Sequence, residues 1–554
     1  MNPKPFLLAV FSILLFFTGL SWEKAKAEII PQDRRIDWSQ VGVAGEIPNR
    51  TTLCATLSPS GGNDTSAIQS AVNNCPSGQV VKLNAGTFNI NSGITVKSGV
   101  TLRGAGMGVT IIKNSTAVTF LVGFNNNPDW AFSQSPARDI TSGNTKGSQT
   151  ITTSAAHGWS VGDIILVDQL EDPSGNPPIT STGDEGACTW CSRNNGTRPA
   201  GQLDKVVGVP NSTTAVLELP LNKTYDKTPQ AIKAVGVTSN AGVEDLTLDS
   251  TTACANDNYG IFSAMFSENS WILRVEMKPV CRIGLKMEVT YRNTVRGSTI
   301  HETLHHTSNG GYVLWMMTAG SANLVEDNIF YNGLVGIVYN GALSGNVFSY
   351  NYFTGMWNSD YPGRGWAGMD AHGAQPMMNL FEGNYLDGPT IGSDFTWGSA
   401  AYNTYFRNRQ RTDTSPEAPI NTLYGIQLGT DSWYMNLVGN VLGTTGYETV
   451  YQSSDIYDGR KGIYFLADSN VTNTLLRHGN WDSVNNSAVW DPSISDSNLP
   501  ASLYLSSKPS WWGNLPWPAI GPDLNPVAGT IPAKERFLGK SNASPSPPKN
   551  LRMR

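Results

Sequence analysis

The chain has 554 residues, of which only 15% are Asp, Glu, Lys or Arg, and its net charge is −6. A negative charge balance argues against nucleic acid as a partner, because binding phosphates requires a basic surface. The 16 tryptophans are a high count. They could belong to a core, but tryptophan faces outside a core also suit stacking on sugar rings.

The first 27 residues have the pattern of a secretory signal peptide. Lys4 gives a positive start, FLLAVFSILLFF is apolar, and Ala25-Lys26-Ala27 is a small-x-small cleavage site. The apolar core is too short to span a bilayer, and no later stretch is long enough. We therefore expect a secreted protein, extracellular or periplasmic, with no membrane contact after cleavage.

The six cysteines are an even number, which suits an oxidising compartment. The sequence alone allows about 15 pairings. Nearest-neighbour pairing predicts three disulfides: Cys54–Cys75, Cys188–Cys191 and Cys254–Cys281. The CxxC at 188–191 also has the spelling of a redox motif, but no βαβ pattern surrounds it, so a loop staple is favoured.

The segment after the signal peptide predicts one short helix followed by strands. Asp64 is placed to cap a helix whose apolar face includes Ile68 and Val72. The apolar pieces QVVKLNAGTFNI and GVTLRGAG follow with no helix between them. GAGMG at 104–108 has the spelling of a dinucleotide loop, but VTII follows it, which favours a turn between strands.

This opening segment (Asp64–Cys75, then QVVKLNAGTFNI and GVTLRGAG) resembles the start of the pectate-lyase-like and polygalacturonase-like right-handed parallel β-helix enzymes. The resemblance implies that fold, through residue 470, and a polysaccharide substrate. Of the polygalacturonase motifs N-T-D, D-D, G-H-G and R-x-K, only AHG at 371–373 is a partial match. The calcium and arginine pattern of pectate lyases is not recognisable, so the resemblance implies no catalytic set.

Asparagines recur before apolar strands along the middle of the chain. They are separated by 23 to 33 residues: Asn269, Asn293, Asn323, Asn346, Asn379, Asn403 and Asn436. Such a period, with β-type and no helical pieces, predicts a solenoid of parallel strands. Asparagine tolerates a left-handed backbone, so we expect these residues to stack at one corner.

The predicted fold class is therefore all-β, a right-handed parallel β-helix with an N-terminal capping helix and an inserted loop-rich β subdomain. The insertion is placed where GWSVGDIILVDQL and a Gly/Pro/Ser-rich stretch interrupt the strand pattern. The predicted parts are a signal peptide (1–27), a cap with the first coils (28–125), the inserted subdomain (126–235), main coils with a groove (236–470), C-terminal coils and cap (471–540), and a disordered tail (541–554).

Aligning the coils on the asparagines predicts which side chains face outward. Positions eight and ten upstream are mostly apolar or small, and Trp315 and Val338 are among them, so these columns are predicted to face the core. The columns nine and seven upstream are predicted to face solvent. Their polar members are Asp370, Asp394 and Gln427 in the first column, and Lys286, Tyr339, His372 and Thr396 in the second.

Asp370 and Asp394 fall in one outward column on adjacent coils, which would separate their backbones by about 4.8 Å. Two carboxylates that close do not both ionise readily, so one pKa should rise. Glycoside chemistry needs such a pair, one protonated and one ionised. His372 is predicted to orient either group or the substrate. The alternatives are a structural pair and a calcium site.

Three long insertions are predicted to wall the groove: HETLHHTSNGG, TGMWNSDYPGRGWAG (354–368) and RTDTSPEAPINTLYG (411–425). Trp357, Arg364 and Trp366 in the second loop are predicted to stack on, or hydrogen-bond to, a glycan, although Trp366 could instead pack under the loop. With Tyr339, Gln427 and Lys286 they form the predicted substrate-binding set.

HETLHH at 301–306 also has the H-E-x-x-H spelling of a zinc protease. That motif works on a helix, where both histidines share one face. Here Ser298-Thr299-Ile300 precedes it and Gly310-Gly311 follows, so a wall loop is favoured over a metalloprotease.

The sequence thus predicts a secreted glycoside hydrolase that uses paired aspartates in a β-helix groove. The alternatives are a lyase on a uronic-acid polymer, with Lys286, Tyr339 or His372 as base, and a non-catalytic glycan-binding surface protein. No cofactor or metal is required in this interpretation, although calcium could be held. The expected partner is a polysaccharide, and the expected state is a monomer.

Overall fold

A computed structural model describes residues 29–125, 132, 135–251, 260–307, 310–360, 367–412, 424–456 and 459–539. The predicted signal peptide and C-terminal tail lie outside the described residues, as do Cys254, Arg364 and Trp366.

The described part of the chain is built almost entirely of short strands. Its α-helices cover Thr65–Asn74, Ser469–Thr474 and Pro532–Phe537, and its 3-10 helices cover Gln32–Arg34 and Ser510–Trp512. None of these helices has the length and apolar character needed to cross a bilayer. Asp64 precedes the first helix but does not cap it with its side chain. Its carboxylate instead accepts hydrogen bonds from the backbone N–H groups of Ser60 (2.9 Å) and Asn89 (3.2 Å).

Two large sheets form the body of the protein, and neighbouring coils pair in parallel. Nearly every coil of the main stack adds two short strands to the first sheet and one to the second. The first sheet contains Leu53–Leu57, Val80–Leu83, Gly86–Ile90, Thr101–Arg103, Thr110–Asn114, Gly242–Asp249, Trp271–Lys278, Thr294–Arg296, Thr299–His301, Leu324–Glu326, Ile329–Gly333, Val347–Ser349, Tyr352–Met356, Leu380–Glu382, Tyr385–Asp387, Thr404–Phe406, Arg409–Arg411, Asn436–Val438, Val441–Leu442, Leu476–His478, Asn480–Asp482 and Ser487–Val489.

The second sheet carries the candidate site, and six of its strands are labelled here. They are β1 (Ile283–Tyr291), β2 (Tyr312–Ser321), β3 (Val335–Tyr339), β4 (Ala367–Ala371), β5 (Thr390–Ser393) and β6 (Tyr424–Leu428). Its other strands are Ile94–Thr95, Val122–Gly123, Thr238–Ser239, Phe262–Glu268, Ala342–Ser344, Val450–Ser453 and Gly462–Leu466. The predicted all-β parallel β-helix is confirmed.

Two stacks of buried asparagines line the turns between the sheets. The first contains Asn293, Asn323, Asn346, Asn379 and Asn403, and the second contains Asn328, Asn351, Asn384, Asn408, Asn440 and Asn480. After the first member of each stack, every side-chain oxygen accepts from the asparagine one coil earlier, whereas Asn293 and Asn328 accept from the backbone N–H groups of Ser270 and Ser298. For example, the backbone N and Nδ2 of Asn323 lie 3.0 and 2.9 Å from Asn346 Oδ1.

The reason given for the stack from sequence was wrong. The left-handed backbone belongs to the residue before the asparagine, such as Arg292 (φ 52°) and Ala322 (φ 54°). The asparagine itself is kept because its amide satisfies buried backbone groups, which would otherwise remain unpaired. Asn269 lies one residue away from the stack, where Ser270 donates its N–H to Asn293 Oδ1 (2.9 Å).

The columns of the second sheet differ from the predicted ones. Leu314, Ile337, Met369, Ile391 and Ile426 pair in register and face the core, as do Tyr339 and Ala371. The outward column is Lys286, Trp315, Val338, Asp370, Gly392 and Gln427. Trp315 and Val338 therefore face outward, and the prediction that they face the core was wrong.

Varying turn length explains this error. Ile337 lies nine residues before Asn346, Met369 ten before Asn379, and Ile391 twelve before Asn403. A one-residue change of register moves every side chain of a strand to the opposite face. A fixed offset from the asparagine therefore misassigns some coils.

Within 126–235 a closed antiparallel barrel forms from Arg138–Ser142, Thr150–Thr153, Ile164–Gln169, Ala200–Asn211, Thr214–Leu217 and Gln230–Lys233. Two small two-stranded sheets accompany the main architecture: Thr182–Gly183 with Gly186–Ala187, and Ala400–Ala401 with Ser432–Trp433. The barrel packs on the outside of the second sheet, where Leu166 and Leu203 share an apolar cluster with Ala319 and Ala342.

Two of the predicted disulfides are confirmed. Cys54–Cys75 ties the first strand to the end of the first helix, and Cys188–Cys191 closes a loop of the inserted segment. Cys281 is disulfide-bonded, and Cys254, its predicted partner, lies outside the described residues.

Candidate active site

Asp370, His372 and Asp394 meet on the outward face of β4 and β5. Asp370 is in β4 and pairs with Gly392, whereas Asp394 follows the end of β5. The backbone N–H of Asp394 donates to the carbonyl of Ala371 (3.0 Å), which sets Asp394 beside His372. The prediction that the two aspartates share one column was therefore wrong by two residues, but their side chains still converge.

The imidazole of His372 lies close to both carboxyl groups. Its Nδ1 is 2.7 Å from Asp394 Oδ2 and 3.8 Å from Asp370 Oδ2. Asp394 also accepts from the backbone N (3.0 Å) and the hydroxyl (2.9 Å) of Thr396. The Asp370 side chain is 12% exposed and that of Asp394 is 36% exposed. Asp394 is thus the carboxylate that solvent and ligands reach more easily.

The three groups differ sharply in the protonation that their surroundings favour. Burial, and then the negative charge of Asp394, raise the pKa of Asp370 well above its ordinary value. Burial alone would raise the pKa of Asp394 too, but the charge and hydrogen bond of His372, with the bonds from Thr396, lower it. Burial is the largest single influence on His372 and opposes its protonation, but the charge and hydrogen bond of Asp394, with the charges of Asp370 and Glu185, together raise the pKa to about 9.

Near neutral pH these shifts favour a protonated Asp370, an ionised Asp394 and a protonated His372. One group can then donate a proton while its neighbour acts as an anion. This division of roles is the one expected of a carboxyl pair whose environments separate the two pKa values.

The same three side chains are the one group among the described residues that could hold a metal ion. Their ligand atoms all lie within 4.8 Å of one another. Calcium prefers six to eight oxygen ligands, and an imidazole must lose its proton to bind a metal. An ion pair between His372 and Asp394 therefore fits these residues better, and calcium binding stays a prediction.

Residues 60–165 match the family model described as rhamnogalacturonase A/epimerase, pectate lyase-like. This match includes the opening segment on which the resemblance was based. The chain has the pectate-lyase-like right-handed parallel β-helix fold.

Several solved β-helix structures are similar to this chain. The tailspike gp61 of Pseudomonas phage phi297 shares 14% identity over 70% of this chain and 65% of its own, with a TM-score of 0.46. The tailspike gp49 of Pseudomonas phage LKA1 shares 14% over 69% and 57%, with a TM-score of 0.43. The polygalacturonase of Erwinia carotovora shares 12% over 77% and 97%, with a TM-score of 0.38.

The chain thus spans 65% and 57% of the lengths of these two tailspikes. No curated protein matches the chain at a significant level. Identities this low concern the fold alone, so the chemistry of this β-helix is argued from its own residues.

The predicted substrate-binding residues do not all reach the site. The prediction that Tyr339 faces solvent was wrong: it is buried, its hydroxyl lies 2.9 Å from that of Tyr405, and burial raises its pKa well above the ordinary value. Lys286 does belong to the column of Asp370, but its Nζ pairs with Glu288 (2.8 Å). Gln427 faces outward beside Gly392 and is half-buried.

Trp357 stacks on His306, with ring centroids 3.9 Å apart, and Arg364 and Trp366 lie outside the described residues. His301 ends a strand and is buried, with Nε2 3.2 Å from Glu276 Oε1, whereas His305 is exposed. The backbone of Glu302 turns left-handed between them (φ 58°). HETLHH therefore forms no helix and places its histidines apart, unlike a zinc-protease motif, and its place in a groove wall stays a prediction.

Part of the site wall comes from the inserted segment and was missed from sequence. The backbone N–H groups of Asp184 and Glu185 donate to the carbonyls of Phe395 (3.0 Å) and Thr396 (3.2 Å). The negative charge of Glu185 helps to raise the pKa of His372. These contacts join residues about two hundred positions apart, so no local pattern indicated them.

Gly392 gives the carboxyl group of Asp370 its space. A Cβ at position 392 would lie 2.8 Å from Asp370 Oδ1, closer than atoms normally approach. We expect Gly392→Ala to rotate this carboxyl away and lower turnover by about 10²-fold. Initial rates and thermal midpoints would be compared with Gly62→Ala, where the added methyl is not crowded. Parental turnover in Gly392→Ala would show that the position of Asp370 is unimportant.

Proposed function

We propose that this β-helix is a secreted, polysaccharide-active enzyme, and specifically a glycoside hydrolase. The observation that carries the proposal is the pair of carboxyl groups beside His372, at 3.8 Å for Asp370 and 2.7 Å for Asp394, with the pKa raised at Asp370 and lowered at Asp394. Hydrolysis of a glycosidic bond needs one carboxylic acid and one carboxylate on either side of that bond. The match of residues 60–165 to a rhamnogalacturonase A/epimerase model supports a polysaccharide as substrate class.

Asp370 is assigned as the general acid. Its Oδ–H proton moves to the glycosidic oxygen as the bond from that oxygen to the anomeric carbon breaks, and the bonding electron pair stays on the oxygen. The leaving sugar then departs as an alcohol. Asp370 is left as a carboxylate and recovers its proton from water.

Asp394 is assigned as the group that acts at the anomeric carbon, either as nucleophile or as base. Its carboxylate either attacks the anomeric carbon, forming a glycosyl ester that water then hydrolyses, or takes a proton from a water whose oxygen bonds to that carbon as the glycosidic bond breaks. His372 acts as a positioning residue, because its imidazolium fixes the Asp394 carboxylate at 2.7 Å and keeps it ionised. Thr396 holds the other side of the same carboxylate.

A uronate lyase would need a base to remove a carbon-bound proton, and the predicted candidates are poorly suited. Tyr339 is buried in the core, Lys286 is ion-paired with Glu288, and the raised pKa of His372 keeps it protonated at neutral pH. A non-catalytic glycan-binding protein would have no need for a protonated carboxyl beside an ionised one. Both alternatives are distinguished by the assay below.

The test is incubation of the mature protein with a panel of neutral and uronic-acid polysaccharides. New reducing ends without absorbance from unsaturated uronate would support the hydrolase. Unsaturated products would instead identify a lyase, and no product with retained binding would identify a glycan-binding protein. Asp226→Asn, at an exposed position of the inserted segment, provides an active control for the aspartate variants.

A further inference from the structure

A cavity of about 690 Å³ lies between the inserted segment and the outward face of the second sheet. The inserted segment contributes Trp190, Asn194 and Asn195 to its lining, and the sheet contributes Glu288 of β1 and Met317 of β2. Glu288 and Met317 pair in register, two residues beyond Lys286 and Trp315 of the column that contains Asp370. The cavity therefore shares the face of the sheet that carries the carboxyl pair.

Trp190 lines the cavity and also contacts aromatic residues on the side of the carboxyl pair. The residue is 38% exposed, so part of its large apolar ring is open to a ligand. Its ring makes edge contacts with Trp315 and Trp397, each with centroids 5.7 Å away. Trp397 follows Asp394 by three residues, so the aromatic cluster reaches from the cavity to the carboxyl pair.

The loop that carries Trp190 is fixed in place from both sides. The disulfide Cys188–Cys191 closes the loop around it, and both cysteines are buried. Asn340, also buried, accepts a hydrogen bond from Trp315 Nε1 (3.0 Å) and lies 3.9 Å from Cys191 Sγ. An exposed aromatic ring that is held this firmly loses little conformational freedom when a ligand covers it.

The polar groups around the cavity suit hydroxyl-rich ligands. Asn194 and Asn195 are exposed and lie in a turn, where both have a left-handed backbone conformation (φ 53° and 55°). Ser192 is buried against the cavity, and its hydroxyl has no hydrogen-bond partner among the described residues. The charged lining residues are compensated: Arg193 by Asp168 (2.8 Å) and Glu288 by Lys286 (2.8 Å). Amides and hydroxyls both donate and accept, as sugar hydroxyls require.

We propose that this cavity is a second glycan subsite, in which Trp190 stacks on a sugar ring of the same polysaccharide that the carboxyl pair cleaves. The inference rests on the proposed function and extends it. Strands β2 and β4 are two steps apart in the sheet, so Trp315 and Asp370 are separated by about 10 Å along the stack. One extended chain can therefore occupy both places, and short oligosaccharides reach only the carboxyl pair.

The experiment compares the parent, Trp190→Ala, Trp190→Phe and Trp490→Ala on oligosaccharides of increasing length from the polysaccharide that the panel identifies. Trp190→Ala should raise KM about 10-fold for long substrates, with kcat and the shortest substrates unaffected. Trp190→Phe should recover most of the loss, because a flat ring remains. Trp490→Ala removes a half-buried tryptophan outside the cavity lining and should change none of these values. Unchanged thermal midpoints would exclude misfolding.

An equal loss at every chain length, or no loss at any, would overturn the subsite. If the panel yields no product, the proposed hydrolase fails, and the subsite is tested by electrophoresis through gels that contain each polysaccharide. Retardation of the parent that is lost in Trp190→Ala and kept in Trp190→Phe would then support the subsite. Equal mobility of the parent and Trp190→Ala in every gel would overturn it.

Discussion

Asp370→Asn is expected to lower turnover by about 10²–10⁴-fold without unfolding the protein. An amide keeps the shape of the carboxyl group but has no acidic proton to give to a leaving oxygen. Initial rates on the substrate that the panel identifies would be compared with those of Asp226→Asn, an aspartate exposed on the inserted segment. Near-parental turnover of Asp370→Asn would remove Asp370 from the chemistry.

The same substitution is expected to stabilise the protein at neutral pH. The pKa of Asp370 is raised in the folded state, so the folded protein holds this proton where the unfolded chain has released it. This carboxyl therefore lowers the free energy of unfolding as pH rises from its unfolded pKa toward its folded one. Asp370→Asn removes this decrease in the free energy of unfolding. In thermal melts between pH 4 and pH 8, the midpoint of the variant should exceed that of the parent by an amount that grows with pH.

The pH dependence of the parent rate should follow the same pair. Asp394 must be ionised, which sets the acid limb below the ordinary aspartate range, and Asp370 must be protonated, which sets the alkaline limb at its raised pKa. The plot of rate against pH should therefore be bell-shaped, and its two limbs should report the coupled pair rather than single residues.

The fold was predictable because its signal is repeated in every coil. The asparagines recur where buried backbone groups need an amide, and one of the two stacks was found from this spacing. The second stack, which begins at Asn328, also leaves a pattern in the sequence. In four coils, an asparagine lies five residues after the asparagine of the first stack. These residues lie among apolar strand residues, so the sequence there resembles ordinary β-structure and did not lead to a prediction of the second stack.

The site was predictable only in part, because its position depends on turn lengths that vary between coils. Asp370, His372 and Asp394 were selected by a column alignment whose register was wrong. They still converge because β4 and β5 are adjacent strands, and His372 and Asp394 directly follow the ends of these two strands. The same error in register affected Tyr339, which was predicted to face solvent. Correcting the register by one residue places it in the core. The contacts of Glu185 and Trp190 depend on how the inserted segment packs, which no local pattern encodes.

Asp394→Asn is expected to lower turnover by on the order of 10⁴–10⁶-fold, as loss of the group that acts on the reacting carbon does in other enzymes. Its effect on His372 is separable from activity. The charge of Asp394 is the largest influence that raises the pKa of His372 to about 9, against burial, which lowers it. Without that charge the pKa of His372 should fall to its ordinary range or below. Titration of the six histidines by NMR would follow this change.

The thermal stabilities of Asp370→Asn and Asp394→Asn should change in opposite directions. The raised pKa of His372 stabilises the fold fully below its unfolded pKa of about 6.5, and this stabilisation is lost as pH rises through the folded value. The lowered pKa of Asp394 stabilises the fold above the ordinary aspartate pKa. Asp394→Asn removes both contributions at pH 7 and should lower the thermal midpoint, whereas Asp370→Asn should raise it. If both variants were inactive but shifted the midpoint downward, Asp370 would be an ionised partner of His372, and the general acid would have to be another group.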